Sequence, residues 1–356
     1  MATQLDHYRL LGRSGLRVAP LCLGTMTFGV PAQWGCGTAE AGKILDRYVD
    51  GGGNFIDTAN FYAGGESERI VGQLAQGRRE QLVIATKYSL TMRPGDPNAS
   101  GNQRKNMVQS VENSLRRLQT DYIDLLYLHV WDARTPVEEI LRSFDDLVRA
   151  GKVLYIGISD SPAWQASRMQ AIAELRGWSP LVALQIPYNL TERTVERDLI
   201  PMAREMGMGV LPWSPLAGGV LSGKYSEKDL ESASGAGLGG LNSRKAINLA
   251  TGRLSQRTLA IASTLQEVAL DIGSSPAQVA LAWTLLNGAV TSTIIGVRNF
   301  AQLTDNLAAL AIEFSDAQIA ELDAASRVEL GFPHDMIESP VAHGMFGSVT
   351  VAKPLR

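Results

Sequence analysis

The sequence predicts an α/β fold, a closed (β/α)8 barrel of the TIM type, and three observations support this prediction. Short apolar runs rich in Val, Ile and Leu recur along the chain, as expected for strands buried on both faces. Amphipathic segments of helical period lie between these runs. There are eight strand–helix units in order, the number that closes a parallel barrel. We therefore interpret residues 1–356 as one barrel domain, with residues 327–356 as a C-terminal tail.

The elements follow in chain order. The first segment, residues 7–20, reads as a β-hairpin that closes the barrel floor, with its turn between Gly12 and Gly15. Residues 104–118 and 136–151 are typical amphipathic helices, and Ser275 before Pro276 marks another helix start. Long loops are predicted after the third and seventh strands, at 90–104 and 216–250. The eight predicted strands are 18–26, 54–59, 82–88, 123–129, 153–159, 182–189, 209–215 and 292–297.

A doubly wound sheet with a second domain is the alternative architecture. It requires a dinucleotide glycine fingerprint between a strand and a helix. The string GAGLGG at 235–240 has the fingerprint spacing, but it follows the polar stretch EKDLESAS rather than a strand. We interpret it as part of a flexible loop, which favours the barrel.

Composition excludes several functional classes. A net charge of −3 without long runs of one sign argues against a nucleic-acid partner. No apolar run reaches the 18 residues of a membrane span, and the N-terminal sequence lacks a signal core. The two cysteines, Cys22 and Cys36, have none of the spacings of a metal site. The low cysteine count and the missing signal predict a cytoplasmic protein in which both thiols are free, and the cysteine spacing predicts no bound metal.

Polar residues finish three consecutive predicted strands, which end at Asp57, Lys87 and His129. Each has an ordinary structural explanation when taken alone: Asp57 as a turn cap, Lys87 reaching solvent, His129 as a core histidine. Tyr62, five residues after Asp57, is equally explained as a wall residue. In a parallel barrel the strand ends converge at the active-site mouth, so all four side chains are expected to meet there.

These four residue types suit proton transfer to a carbonyl oxygen. A phenol is a poor acid near neutral pH unless a nearby cation stabilises its phenolate. Lys87 supplies such a cation, and Asp57 is expected to hold it charged and oriented. His129 is placed to hydrogen-bond the carbonyl oxygen, and Tyr62 to donate its proton. A hydride donor is still required, and a nicotinamide is the usual one.

The chain resembles the aldo-keto reductase superfamily over nearly its whole length, in particular its bacterial, channel-β-subunit-like branch. The matching motifs, in order, are LGTMTFG (23–29), GGNFIDTANFYAGGESERIVG (52–72), IATKY (84–88), TDYIDLLYLH (120–129), GKVLYIGISD (151–160), QIPYNL (185–190), WSPLAGGVLSGKY (213–225) and IIGVRNFAQLTDNL (294–307). The resemblance implies a barrel that binds NADPH, or less often NADH, without a Rossmann domain. It also places the family's catalytic tetrad on Asp57, Tyr62, Lys87 and His129.

The resemblance further implies a set of cofactor contacts. Ser159, Asp160 and Gln185 are expected at the carboxamide, although the family usually has Asn or Arg where Asp160 stands. Trp213 is expected to stack on the nicotinamide, and Arg298 to bind a 2′-phosphate, which favours NADPH. An ordinary helix start with a solvated Arg298 is the alternative. The complete set is Gly24, Thr25, Met26, Asp57, Ser159, Asp160, Gln185, Trp213, Ser214, Pro215, Leu216, Ala217, Gly218, Lys224, Ser243, Arg244, Gly296, Arg298, Gln302, Asp305 and Asn306.

The expected function is NADPH-dependent reduction of an aldehyde or ketone to an alcohol, and ketosugars, small aldehydes and xenobiotic ketones are all open as substrates. The expected substrate contacts are Phe28, Tyr62, His129 and Trp131. Two alternatives stay open: oxidation of a sugar or polyol hydroxyl with NADP+, and a redox-sensing NADPH-binding subunit with slow turnover. Retention of His129 favours an enzyme over the sensor, because the channel β-subunits differ around this histidine. The sequence leaves both a monomer and a homo-oligomer open.

Overall fold

The computed structural model describes residues 3–30, 34–231, 244–337, 339–345, 347 and 349. Eight parallel strands form the main sheet: the first seven pair in chain order, the eighth pairs with the first, and a bridge between Val210 and Val290 joins the two ends of the sheet. The predicted (β/α)8 barrel is therefore confirmed as a nearly closed barrel. Its strands are β3 (Leu21–Gly24), β4 (Phe55–Asp57), β5 (Val83–Tyr88), β6 (Ile123–Leu128), β7 (Val153–Ser159), β8 (Leu181–Pro187), β9 (Gly209–Trp213) and β10 (Thr293–Gly296).

The N-terminal hairpin closes the barrel at the amino ends of these strands. Its strands β1 (Arg9–Leu10) and β2 (Arg17–Val18) pair antiparallel. Leu11 and Val18 are fully buried and pack with barrel-interior residues such as Phe55. Gly12 has φ +55°, and a Cβ there would lie 2.4 Å from the carbonyl oxygen of Val182. Only glycine fits this close approach of the turn to the barrel.

Helices surround the barrel and bury one face each. In the helix that follows β6, Ile140, Leu141 and Phe144 face the core at helical spacing. Ser275 caps the helix that starts at Pro276, as predicted, because its Oγ accepts a hydrogen bond from the backbone of Gln278. The helices are α1 (Thr38–Asp50), α2 (Glu66–Leu74), α3 (Arg104–Leu118), α4 (Val137–Arg149), α5 (Ala163–Arg176), α6 (Leu199–Met206), α7 (Glu227–Glu231), α8 (Arg244–Ala250), α9 (Gln256–Ile272), α10 (Pro276–Thr284), α11 (Phe300–Leu307), α12 (Asp316–Ser326), α13 (His334–Ile337) and α14 (Pro340–Met345).

The two predicted long loops have different outcomes. The segment after β5 is irregular until α3 begins at Arg104. The segment 216–250 is not a continuous loop, since it contains a 3-10 helix (Ala217–Ser222) and the short helices α7 and α8. Helices of five to seven residues are too short to give a clear hydrophobic period, so the sequence does not reveal them. The GAGLGG string lies outside the described residues.

The barrel interior changes from apolar to polar along its axis. Phe55, Leu125 and Leu211 fill the interior next to the hairpin. At the carboxyl ends the inward positions carry Asp57, Lys87 and Gln185, all buried. The polar end of the barrel is therefore where chemistry can take place.

Among the described residues, no helix is long and apolar enough to cross a membrane.

Candidate active site

Lys87 lies at the centre of the polar end and is completely buried. Its Nζ donates hydrogen bonds to Oδ1 of Asp57 at 2.5 Å and to the carbonyl oxygen of Thr58 at 2.8 Å. A third hydrogen bond, of 3.2 Å, reaches the hydroxyl of Tyr62. The three donors of the ammonium group thus have three acceptors, which compensates for its removal from water.

Tyr62 returns to the mouth because the chain turns sharply after β4. The turn Tyr62–Gly65 contains three residues with positive φ: Ala63 (49°), Gly64 (64°) and Gly65 (92°). At Gly65 an added Cβ would come within 2.9 Å of the Arg117 side chain. Glycine therefore permits both the left-handed backbone and the close packing of this turn.

The pKa values of Lys87 and Tyr62 depend on burial and on neighbouring charges. Burial lowers the pKa of Lys87, but Asp57 and Tyr62 raise it, and the net shift is upward. Lys87 is therefore an ammonium at neutral pH. Burial raises the pKa of Tyr62 more than the positive charge of Lys87 lowers it. Lys87 therefore offsets the effect of burial on the pKa of Tyr62 only in part.

His129 follows β6 and faces Tyr62. The two rings meet edge to face, with centroids 6.0 Å apart and planes at 82°. Burial, and then the charge of Lys87, lowers the pKa of His129 from 6.5 to about 3, so its ring is neutral at physiological pH. Its Nδ1 is buried and has no hydrogen-bond partner within the described part of the chain. Neutral imidazole can hydrogen-bond a carbonyl oxygen without transferring a proton.

His129 should make the protein sensitive to acid. The unfolded chain binds a proton at this histidine below pH 6.5, whereas the folded protein excludes it down to about pH 3. Stability from this group therefore falls as the pH decreases, by about 2 kcal/mol between pH 6.5 and pH 5. We expect His129→Gln to remove this part of the pH dependence in urea titrations. His7→Gln, at an exposed site, is the control, and an unchanged slope in His129→Gln would contradict the assignment.

Gln185 and the end of β7 complete the wall of the mouth. Gln185 donates from Nε2 to Oδ2 of Asp57 at 2.8 Å, so both carboxylate oxygens of Asp57 accept hydrogen bonds. Asp160, next to Ser159, accepts a hydrogen bond of 3.0 Å from the indole nitrogen of Trp213. The guanidinium carbon of Arg253 lies 5.6 Å from the Trp213 ring centroid. The indole is thus held both at its edge and over its face.

The backbone after β9 forms a cradle of small residues. Ser214, Ala217, Gly218 and Gly219 all have positive φ, and the Ser214 hydroxyl accepts a hydrogen bond from the Gly218 backbone. A Cβ on Gly218 would lie 2.3 Å from Oδ1 of Asn248. The N–H groups of Ala217, Gly218 and Gly219 donate within the segment, so the small side chains provide room for the close approach of a phosphate.

Three cations lie near this cradle. Partial burial, followed by the positive charges of Arg298 and Arg244, lowers the pKa of Lys224. Burial and then Arg298 likewise lower the pKa of Arg244. The three groups are therefore close enough to repel one another, as expected where an anion is bound. Ser243, predicted beside Arg244, lies outside the described residues.

Comparison with known proteins identifies the family. The model of the aldo/keto reductase family matches residues 20–327, which contain all the strands of the barrel. The chain belongs to the aldo/keto reductase family. Members of this family bind NADPH or NADH. The polar cluster at the barrel mouth and the cradle of small residues after β9 are compatible with such a cofactor.

Several curated relatives of this aldo/keto reductase are oxidoreductases. A norsolorinic acid reductase of Aspergillus flavus is 38% identical over 350 residues, which cover 95% of this chain and 86% of the relative. The oxidoreductase YrpG of Bacillus subtilis is 40% identical over 318 residues, which cover 86% of this chain and 91% of the relative. An NADP(+) aryl-alcohol dehydrogenase of Phanerodontia chrysosporium is 36% identical over 351 residues, which cover 93% of this chain and 89% of the relative.

The folded chain brings most predicted site residues to one end of the barrel. The exceptions, Phe28 and Asp305, face other parts of the protein. Phe28, a predicted substrate contact, is 1% exposed and packs within the hydrophobic core. Asp305 accepts hydrogen bonds from Ser275 and Gln278 of α10 and its N-cap. Thr25 is buried and donates to the Asp57 carbonyl oxygen.

The remaining predicted cofactor and substrate residues lie around the mouth. Gly24 and Gly296 are register partners at the ends of β3 and β10. Gln302 accepts a hydrogen bond from the Arg298 backbone, and Asn306 is buried in the same helix, α11. The other predicted residues lie after strand ends or in the cradle. Met26 is exposed and Trp131 is half-buried, whereas Pro215 and Leu216 lie between Ser214 and Ala217.

Sequence reasoning missed three residues that hold the site. Arg253 stacks on Trp213, Asn248 donates to the Gly218 carbonyl oxygen, and Asn102 bonds the segment after His129. All three lie in or beside the two segments that the sequence predicts as loops. A polar residue in such a segment carries no periodic signal, so only the folded chain identifies it.

Proposed function

We propose that this protein reduces an aldehyde or ketone to an alcohol with NADPH, taking the proton from Tyr62. The observation that carries the proposal is the hydrogen-bonded series Asp57–Lys87–Tyr62 beside the neutral ring of His129. Such a group of acid, cation, phenol and imidazole serves to protonate an oxygen on which negative charge develops. The support for the proposal is the fit of these residues to that chemistry.

The roles follow from the contacts and charges. His129, neutral at physiological pH, donates a hydrogen bond to the carbonyl oxygen and orients it. Tyr62 donates its proton to that oxygen, and the Lys87 ammonium stabilises the phenolate that remains. Asp57, held by Gln185, keeps Lys87 in place. Reduced nicotinamide, when bound, supplies the hydride.

NADPH is proposed over NADH because of the cations near the cradle. We expect Arg298→Ala to lower kcat/KM for NADPH by about tenfold to a hundredfold, since bonds to a charged phosphate contribute about 1.5–3 kcal/mol. The value for NADH, which lacks this phosphate, should change little. Arg168→Ala, on the outer helix α5, is the control and should change neither. An NADH preference that survives Arg298→Ala would contradict the NADPH assignment.

We further propose an aromatic carbonyl compound as the substrate class. The mouth exposes Met26 and Phe61 after β3 and β4, and Trp131 lies after β6, so its rim is apolar. The name of the Phanerodontia relative, an aryl-alcohol dehydrogenase, agrees with an aromatic substrate. The same residues catalyse oxidation of the alcohol when NADP+ is in excess. Activity with a ketosugar and none with benzaldehyde would contradict this class.

A further inference from the structure

Two segments at the barrel mouth are joined by reciprocal hydrogen bonds. Asn102, in the segment after β5, donates from its backbone to Oδ2 of Asp132 at 2.6 Å. The Asp132 backbone donates in return to Oδ1 of Asn102 at 2.9 Å. Asn102 is completely buried although it lies in an irregular segment of the chain. Such an arrangement fixes one segment against the other.

Asn102 and Ser89 also hold the two sides of Val130. Nδ2 of Asn102 donates to the Val130 carbonyl oxygen at 2.9 Å, and Oγ of Ser89 accepts from the Val130 backbone at 3.1 Å. Ser89 has φ +107°, a strained conformation for a residue with a side chain, and its carbonyl oxygen accepts a hydrogen bond from Gly101. Strain of this kind persists only where the surroundings hold it, which is common at functional sites.

Together these bonds fix three consecutive peptide groups. The Val130 N–H belongs to the peptide after His129, the Val130 carbonyl to the next one, and the Asp132 N–H to the peptide after Trp131. The His129 backbone itself donates to the carbonyl oxygen of Tyr88 at 3.0 Å. The backbone that carries the side chains of His129 and Trp131 therefore cannot rotate without breaking these hydrogen bonds.

We propose that Asn102 is a positioning residue that sets the separation of His129 and Trp131 and so selects carbonyl substrates by size. The inference rests on the proposed reductase function and extends it to a residue outside the predicted cofactor and substrate contacts. Asn102 belongs to the segment after β5, whereas the proposed carboxamide and phosphate contacts follow β7, β8, β9 and β10. The segment after β6 that Asn102 holds reaches the predicted carboxamide contacts through a long hydrogen bond of 3.4 Å, from the Trp131 backbone to the Asp160 carbonyl oxygen. Loss of Asn102 should therefore alter the substrate side of the site more than the cofactor side.

The test compares Asn102→Ala with Asn54→Ala. Asn54 also joins two chain segments, since it donates to the Arg17 carbonyl oxygen and accepts from the Ala19 backbone, but at the opposite end of the barrel. For each variant and the wild type, we measure three quantities: the ratio of kcat/KM for benzaldehyde to that for 2-naphthaldehyde, the Kd of NADPH and the melting temperature. We expect Asn102→Ala to change the ratio by about tenfold, mainly through KM. The Kd of NADPH should stay within about twofold, because Asn102 lies on the substrate side of the site. A change in KM at constant cofactor affinity then reports on binding of the substrate.

A second variant keeps the inference testable if the alanine protein does not fold. Asn102→Asp retains the acceptor for the Asp132 backbone but donates to Val130 only when its carboxyl is protonated. Its substrate ratio should return towards that of the wild type as the pH is lowered. An unchanged ratio in both Asn102 variants, or an equal change in Asn54→Ala, would overturn the positioning role of Asn102 but would leave the proposed function standing. If the wild type reduces neither aldehyde with NADPH, the proposed function fails as well.

Discussion

Replacing Tyr62 by Phe should lower kcat for carbonyl reduction by roughly 10²- to 10⁴-fold, the usual contribution of a positioned general acid. The substitution removes one oxygen, the atom 3.2 Å from Nζ of Lys87, and leaves the ring that meets His129 edge to face. Because the packing is retained, NADPH should bind as in the wild type. Pre-steady-state and steady-state kinetics with benzaldehyde, together with fluorescence titration of NADPH, measure both quantities.

A matched control for this variant is Tyr8→Phe. The Tyr8 hydroxyl also makes a hydrogen bond, to the Gly52 carbonyl oxygen at 2.9 Å, but it is exposed and lies near the barrel floor. Its removal should leave kcat unchanged. Reduction by Tyr62→Phe at the wild-type rate would eliminate Tyr62 as the proton donor.

Lys87→Met should destabilise the fold and abolish reduction at the same time. The pair Lys87–Asp57 is buried, with 0% and 4% of the side chains exposed, so the substitution leaves a buried carboxylate without its cation. Breaking such a pair costs about 3–5 kcal/mol in the free energy of unfolding. Urea denaturation measures this loss. Arg168→Met, which breaks the exposed pair with Glu138, should cost less than about 1 kcal/mol.

The double variant Asp57→Asn with Lys87→Met separates stability from catalysis. The asparagine side chain introduced at position 57 is neutral, so the penalty for an unpaired buried charge disappears and most of the lost stability should return. Activity should not return, because the cation that stabilises the Tyr62 phenolate is still missing. Recovery of activity in the double variant would show that Lys87 serves stability alone.

The strand ends illustrate what the sequence can predict. Asp57, Lys87 and His129 are identifiable because a buried strand rarely ends in a polar residue, and because parallel strands in a barrel end at the same mouth. The fold follows from the same periodic signal. Cofactor residues near the mouth are predicted by resemblance, and the cradle after β9 has the positive φ values that small residues permit.

Other features depend on contacts that sequence distance conceals. Gln185 bonds Asp57 across 128 positions, and Asn102 bonds Asp132 across 30, so neither pair has a local pattern. The upward shift in the pKa of Tyr62 also depends on how closely the folded chain packs around the phenol. Residue type places Phe28 at the substrate rim, whereas its depth in the core is decided by packing.

The most direct test of the proposed function is hydride transfer from NADPH deuterated at its transferable position. In a single turnover with benzaldehyde, the wild type should place deuterium on the carbinol carbon of benzyl alcohol, with the hydroxyl proton coming through Tyr62. Tyr62→Phe should bind the labelled cofactor but transfer its label at least about a hundredfold more slowly. Absence of label from the alcohol, or equal rates for the two proteins, would contradict the account.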